Sequence, residues 1–187
     1  MKYIALIRHA PTAGNEIGAY IGRTDQPLSA AGEAQARAFL PPPADRVACS
    51  PLLRCRRTAQ LLYPQAEAEV WEGFAECDFG KFEGKTAAQL EGDADYLSWL
   101  ESGGRAPFPE GEAPEAFVRR TVAAFEAYAN ALADGCRAAL VGHGGSIMAV
   151  LSALALPRRS FYEWHVPNLG GYVLALGDGA PEVAKKL

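Results

Sequence analysis

No apolar run in this chain approaches the roughly 20 residues needed to cross a bilayer, so no membrane span is expected. An excess of basic charge is missing as well. With 22 acidic against 18 basic residues and a net charge of -4, a broad nucleic-acid or anionic-lipid surface is not expected, because either needs a basic face. Any anionic ligand must be caught by a local pocket. The four cysteines, Cys49, Cys55, Cys77 and Cys136, show no paired CxxC spacing, and the amino terminus has no basic segment leading into a long apolar core. Reduced thiols in a cytoplasmic protein are the expectation. Internal repeats, low-complexity tracts and linkers are also lacking, and 187 residues suit one domain, residues 1–187, with a sizeable core. Histidine is scarce, with three in the chain, so where they fall carries information.

An apolar content of 49% and a charged content of 21% are those of a globular chain. Tyr3 to Ile7 is a continuous apolar run that stops at Arg8-His9, which reads as a strand buried on both faces of a parallel sheet. The carboxyl ends of such strands line the crevice where open α/β sheets bind ligands. Arg8 is therefore a candidate anion ligand and His9 a candidate nucleophile or base. Cys136 to Val141 is a second such strand, ending at Gly142-His143-Gly144-Gly145 before a helix over Ser146 to Leu156. Free N–H groups at that Gly144-Gly145 helix start, beside His143, suit an anion.

Between these strands, Pro11 to Pro27 reads as a long loop, and such loops are usually functional. Ser29 caps a helix running to about Leu40, which the Pro41-Pro42-Pro43 run ends. A short strand, Arg46 to Cys49, leads to Ser50-Pro51, read as N-cap and first helical residue of a helix to about Leu62. Arg54 falls near the first turn of that helix, where its guanidinium can hold a phosphate through two N–H groups. Arg56 and Arg57 read as a solvated basic face. Ala66 to Trp71 is an expected strand, Glu72 to Lys85 a loop near the site, and Thr86 to Leu100 a stretch of short helices. Ser102 to Pro114 reads as a lid or rim on which Arg105 is a lesser ligand candidate. Apolar residues at near-helical spacing predict an amphipathic helix over Glu115 to Ala133. Leu169 to Leu176 and Val183 to Leu187 complete the strands. Alternating strands and helices make the fold α/β with a largely parallel sheet.

Four segments then resemble one family: Leu6-Ile7-Arg8-His9-Ala10, Ser50-Pro51-Leu52-Leu53-Arg54 through Ala59, Glu76-Cys77-Asp78-Phe79-Gly80-Lys81-Phe82-Glu83-Gly84, and Val141-Gly142-His143-Gly144-Gly145. In that order they resemble the histidine phosphatase, or phosphoglycerate mutase-like, superfamily over residues 3 to about 175. The resemblance implies a three-layer α/β/α sandwich around a six-stranded mixed sheet with one antiparallel strand. It implies that His9 is phosphorylated during turnover, that Arg8, Arg54 and His143 form the phosphate pocket, and that Glu76 protonates the leaving oxygen. Asn15 and Gly22 fall where the family contacts the transferred phosphate, and Gly144 belongs to the same pocket. The family's usual RHG is RHA here and is followed by Pro11, departures that touch loop geometry. Asp78, Glu83 and Glu112 are other carboxylates for the acid role.

The residue types support the chemistry independently. Phosphoryl transfer needs an in-line nucleophile and positive groups on the equatorial oxygens, which Arg8, Arg54 and a protonated His143 can supply without a metal or cofactor. The expected partner is a small phosphorylated metabolite, and the DFG-x-FEG segment and short chain look most like the α-ribazole-5′-phosphate and broad-specificity phosphatases. A phosphoglycerate mutase is the alternative within the family, less expected because those chains are typically longer. The alternative of another class is a non-catalytic phosphate-binding module.

Overall fold

The first strand, β1 (Lys2–Arg8), is buried on both faces: Ile4 and Leu6 point into one core, Ala5 and Ile7 into another. Burial of each of the larger three contributes roughly 1.5–3 kcal/mol. In a computed structural model describing residues 1–187, β1 lies inside a six-stranded sheet of order β3-β2-β4-β1-β5-β6. Its neighbours are β4 (Arg137–Gly142), parallel, and β5 (Gly171–Leu176), antiparallel. The parallel strands β2 (Arg46–Cys49) and β3 (Glu69–Val70) continue the sheet beyond β4, and β6 (Glu182–Lys186) closes the far edge against β5. Thus β5 is the single antiparallel strand.

Helices cover both faces, giving three layers. On the face of Ile4, Leu6 and Leu140 lie α5 (Pro114–Asn130) and α6 (Gly144–Leu154), with Phe125, Tyr128, Ile147 and Leu151 in the core. On the other face lie α2 (Ala30–Ala38) and α3 (Leu53–Leu62), packed against Ala5, Ile7, Val47 and Val141. The architecture is the expected three-layer α/β/α sandwich around a six-stranded mixed sheet. No helix is long and apolar enough to cross a membrane.

Several local expectations shift. Ser29 caps α2 as expected, accepting from Gly32 N at 3.0 Å. Ser50 does not cap α3. Strand pairing continues one residue past β2, with Ser50 N donating to Val141 O, so α3 starts only at Leu53. Its first N–H is capped from a distance by Asp25 Oδ1 at 2.7 Å. The Pro11 to Pro27 loop contains one turn of helix, α1 (Ala13–Glu16), held by reciprocal hydrogen bonds between Thr12 and Asn15. The expected strand over Ala66 to Trp71 shortens to two residues. Of the expected helices over Thr86 to Leu100, only α4 (Ala94–Glu101) forms, capped by Asp93.

Candidate active site

Strand register sets the site. Arg8 pairs with Gly142 and Cys49 with Val141, so the residues that follow, His9, His143 and Ser50, emerge side by side at the carboxyl ends of β1, β4 and β2. His9 N donates to Gly142 O at 2.9 Å, and the two imidazole centroids lie 5.2 Å apart, edge to face. All the central groups are buried: Arg54 is 0% exposed, His143 1%, His9 3% and Glu76 6%.

The His9 ring is oriented by its neighbour, with Nδ1 2.7 Å from Ala10 O. A carbonyl oxygen only accepts, so Nδ1 carries the proton and Nε2 keeps its lone pair. Ala10 is itself held by Thr58 Oγ1, and the His9 carbonyl by Asn168 Nδ2. Burial, with Arg54 and Arg8 nearby, drives the imidazole well below its ordinary value, so His9 is neutral.

Arg54 reaches back from α3 to the loop carbonyls, donating through Nη1 to Thr24 O at 2.9 Å and through Nη2 to Gly22 O at 2.7 Å and Ile21 O at 3.4 Å. Arg8 donates to Val166 O at 2.8 Å and lies over Gly144 at the start of α6. Each of the two arginines has a buried Nε without a partner. No carboxylate pairs with either guanidinium, so their charge is free for an anion. With no anion bound, His143 is held toward its neutral form. Its Nε2 lies 2.7 Å from Ser50 Oγ, and burial together with Arg54, His9 and Arg8 pushes its protonation well below the ordinary range. A third positive charge beside the two arginines is unfavourable until an anion arrives.

Glu76 sits between two short 3-10 turns, Glu72–Phe74 and Gly80–Phe82. Its carboxyl accepts from Cys77 N and Gly145 N, both at 3.0 Å. Burial raises its protonation range, outweighing those hydrogen bonds and the two arginines. Arg120, ion-paired to Glu112, donates to the carbonyls of Gly73, Ala75 and Glu76 and so fixes this segment. Asp78 is occupied with Gly80 N, Glu83 with the loop at residues 22–24, and Glu112 with Arg120. Among these four carboxylates, Glu76 alone lines the cavity.

That cavity holds about 840 Å³. Arg8, His9, Asn15, Glu76 and Gly144 are part of its wall, while Arg54 and His143 are buried off that wall. The side-chain Oδ1 of Asn15 accepts from Thr12 N and Asn168 Nδ2, which leaves the side-chain NH₂ as a donor at the wall. Gly22 is absent from that wall, its N–H held by Glu83 and its carbonyl by Arg54. The same wall carries the rings of Tyr20, Phe79, Trp99, Phe108, Phe161 and Tyr162 beside Arg105, Glu115, Arg119 and His165. The expected rim contributes Gly103, Gly104, Arg105 and Phe108. Of four positions that hold the site together, Asn168 and Arg120 escape sequence reasoning, while Ser50 and Glu83 are read there in other roles. Ser50 did carry a signal, its Ser-Pro pair, but one that points to a helix cap.

The sequence profile described as Histidine phosphatase superfamily (branch 1) matches residues 4–186. The chain belongs to that family. A Hydrogenobacter thermophilus protein provisionally named phosphoserine phosphatase 2 is 32% identical over 184 residues, covering 91% of this chain and 87% of that protein. The adenosylcobalamin/alpha-ribazole phosphatase of Salmonella typhimurium is 31% identical over 168 residues, 86% of this chain and 82% of its relative. A solved phosphoglycerate mutase from Thermus thermophilus superimposes with TM-score 0.75 at 31% identity, covering 99% of this chain and 98% of that one. Length therefore does not separate phosphatase from mutase here. As a histidine phosphatase with phosphatase-named relatives, the protein is a phosphatase.

Proposed function

We propose that this histidine phosphatase hydrolyses a phosphomonoester with a bulky planar leaving group, of the α-ribazole 5′-phosphate kind, through a phosphohistidine on His9. The observation that carries the reading is a neutral His9, its Nε2 lone pair free, among Arg8, Arg54 and the Glu76 carboxyl. Nε2 attacks phosphorus while the ester P–O bond breaks, and the departing oxygen takes the Glu76 proton. Arg8 and Arg54, with the Asn15 amide and the Gly144 helix start, hold the equatorial oxygens. Arrival of the dianion offsets the arginine charge, which lets His143 take up a proton. Water then attacks the phosphohistidine, gives its proton to the Glu76 carboxylate, and inorganic phosphate leaves.

Protonation states support the pairing. With ordinary values for both groups, His9 neutral and Glu76 protonated would coexist in under about 1% of molecules at any pH. Burial lowers His9 and raises Glu76, which increases the fraction of molecules holding both reactive forms. The leaving group is read from the aromatic rings of the cavity wall, which favour a flat apolar body, each well-stacked pair contributing about 0.5–1.5 kcal/mol beyond area. Phosphoserine offers nothing to stack. A panel of phosphomonoesters tests this: kcat/KM for α-ribazole 5′-phosphate and aryl phosphates should exceed that for phosphoserine at least about 10-fold, with and without EDTA. Preference for phosphoserine would overturn the substrate reading, and loss of activity in EDTA the arginine-based one.

Gly145 supplies an independent test of the acid. A Cβ there would lie 2.3 Å from Glu76 Oε1, so Gly145→Ala must displace the carboxyl by about an ångström. Misplacement of that size costs on the order of 10²-fold in rate. Wild-type turnover of an alkyl phosphate by folded Gly145→Ala would show that Glu76 has no chemical role.

A further inference from the structure

We propose that Glu83 is the positioning residue for Arg54, acting through the backbone of residues 21–24, an inference that rests on Arg54 being a phosphate ligand. The segment is irregular, yet both sides of its peptide units are used. Its carbonyls at Ile21, Gly22 and Thr24 accept from the Arg54 guanidinium. Its N–H groups at Gly22, Arg23 and Thr24 donate to the Glu83 carboxylate at 3.1, 2.9 and 3.4 Å, and Thr24 Oγ1 adds a fourth bond at 2.7 Å. Phe79 N supplies a fifth at 3.1 Å, tying Glu83 to the turn that follows Glu76.

The arrangement keeps a buried charge oriented without cancelling it. A carboxylate bonded directly to Arg54 would fix the guanidinium but neutralise the charge that a phosphate needs. Neutral carbonyls leave the charge in place, and N–H groups bonded to an anion make those carbonyls better acceptors through hydrogen-bond cooperativity. Space enforces the contact. A Cβ on Gly22 would come 2.0 Å from Cys77 O and 2.4 Å from Glu83 Oε1, so the loop lies directly on the 77–83 segment. Neither Glu83 nor Arg54 lines the cavity, whereas Ile21 and Phe79, in the segments that Glu83 ties together, do, so the route through Arg54 is separated from theirs only by a cycle that includes Arg54.

A double-mutant cycle on the full-length enzyme tests this, reading kcat/KM for a chromogenic aryl phosphate and the inhibition constant of vanadate. Glu83→Gln keeps the size but sets an NH₂ against N–H donors. It should lower kcat/KM about 10- to 100-fold, the scale of a misplaced ligand, and weaken vanadate by a similar factor. In an Arg54→Ala background the same change should matter less than about 2-fold, because contacting groups are not additive. Thr24→Val, which removes one donor and leaves Arg54 untouched, should act in the same direction more weakly, and it decides the matter should Glu83→Gln fail to fold. Multiplying effects in the cycle, or unchanged vanadate inhibition in the folded single variants, would overturn the positioning role while leaving the phosphatase reading intact. An Arg54→Ala enzyme with wild-type kinetics would instead remove Arg54 from the phosphate site, and the clamp with it.

Discussion

His9→Ala is expected to lose turnover of every phosphomonoester by on the order of 10⁴-fold or more, as when a covalent nucleophile is removed. No neighbour can take its place. His143 is buried off the cavity wall and bonded to Ser50, Ser146 Oγ is committed to the His143 backbone, and burial pushes the Cys77 thiol up, away from the reactive thiolate. Rapid quenching of wild-type enzyme with labelled substrate should give a protein phosphate that is acid-labile and base-stable, the behaviour of a phosphoramidate, and His9→Ala should give none. The product distribution then separates phosphatase from mutase. Inorganic phosphate should accumulate, whereas isomerised 3-phosphoglycerate as the main product would revive the mutase reading. Intact turnover by His9→Ala would end the covalent mechanism.

The second large effect belongs to Glu76. General acid catalysis contributes about 10²–10⁴-fold when the leaving group is a poor one, so Glu76→Gln should lose that factor on alkyl phosphates and far less on aryl phosphates. Its pH dependence has a definite sign. Because burial raises the Glu76 carboxyl above the ordinary carboxylate range, the acid form persists past the pH at which an exposed glutamate would have ionised. kcat/KM for an alkyl phosphate should fall as pH rises through that raised value. It should also fall on the acid side as His9 takes up a proton, at a pH well below the ordinary imidazole range. Glu76→Gln should erase the alkaline limb and keep the acid one. Equal losses on alkyl and aryl substrates would send the acid role elsewhere, and Asp78, Glu83 and Glu112 are each occupied.

The sequence by itself determined much of this protein. The apolar run of β1, the second buried strand at β4 and the Ser29 cap are set by neighbours in the chain, so they could be read from it. Arg8-His9 and His143-Gly144 could be placed at the ligand end of a parallel sheet for the same reason, since a strand that stops at ionisable residues says where its carboxyl end lies. What only the tertiary structure decided rests on segments far apart in sequence. Asp25 caps α3 across 28 residues, and the Ser50 hydroxyl, read as a helix cap, serves His143 across 93. Glu83, read as one of several spare carboxylates, holds the loop that holds Arg54 across 59 to 61 residues. The charge on His143 follows the same division. A residue type and a motif announce a titratable group, but burial and the two arginines packed around it set its protonation, and both are properties of the fold.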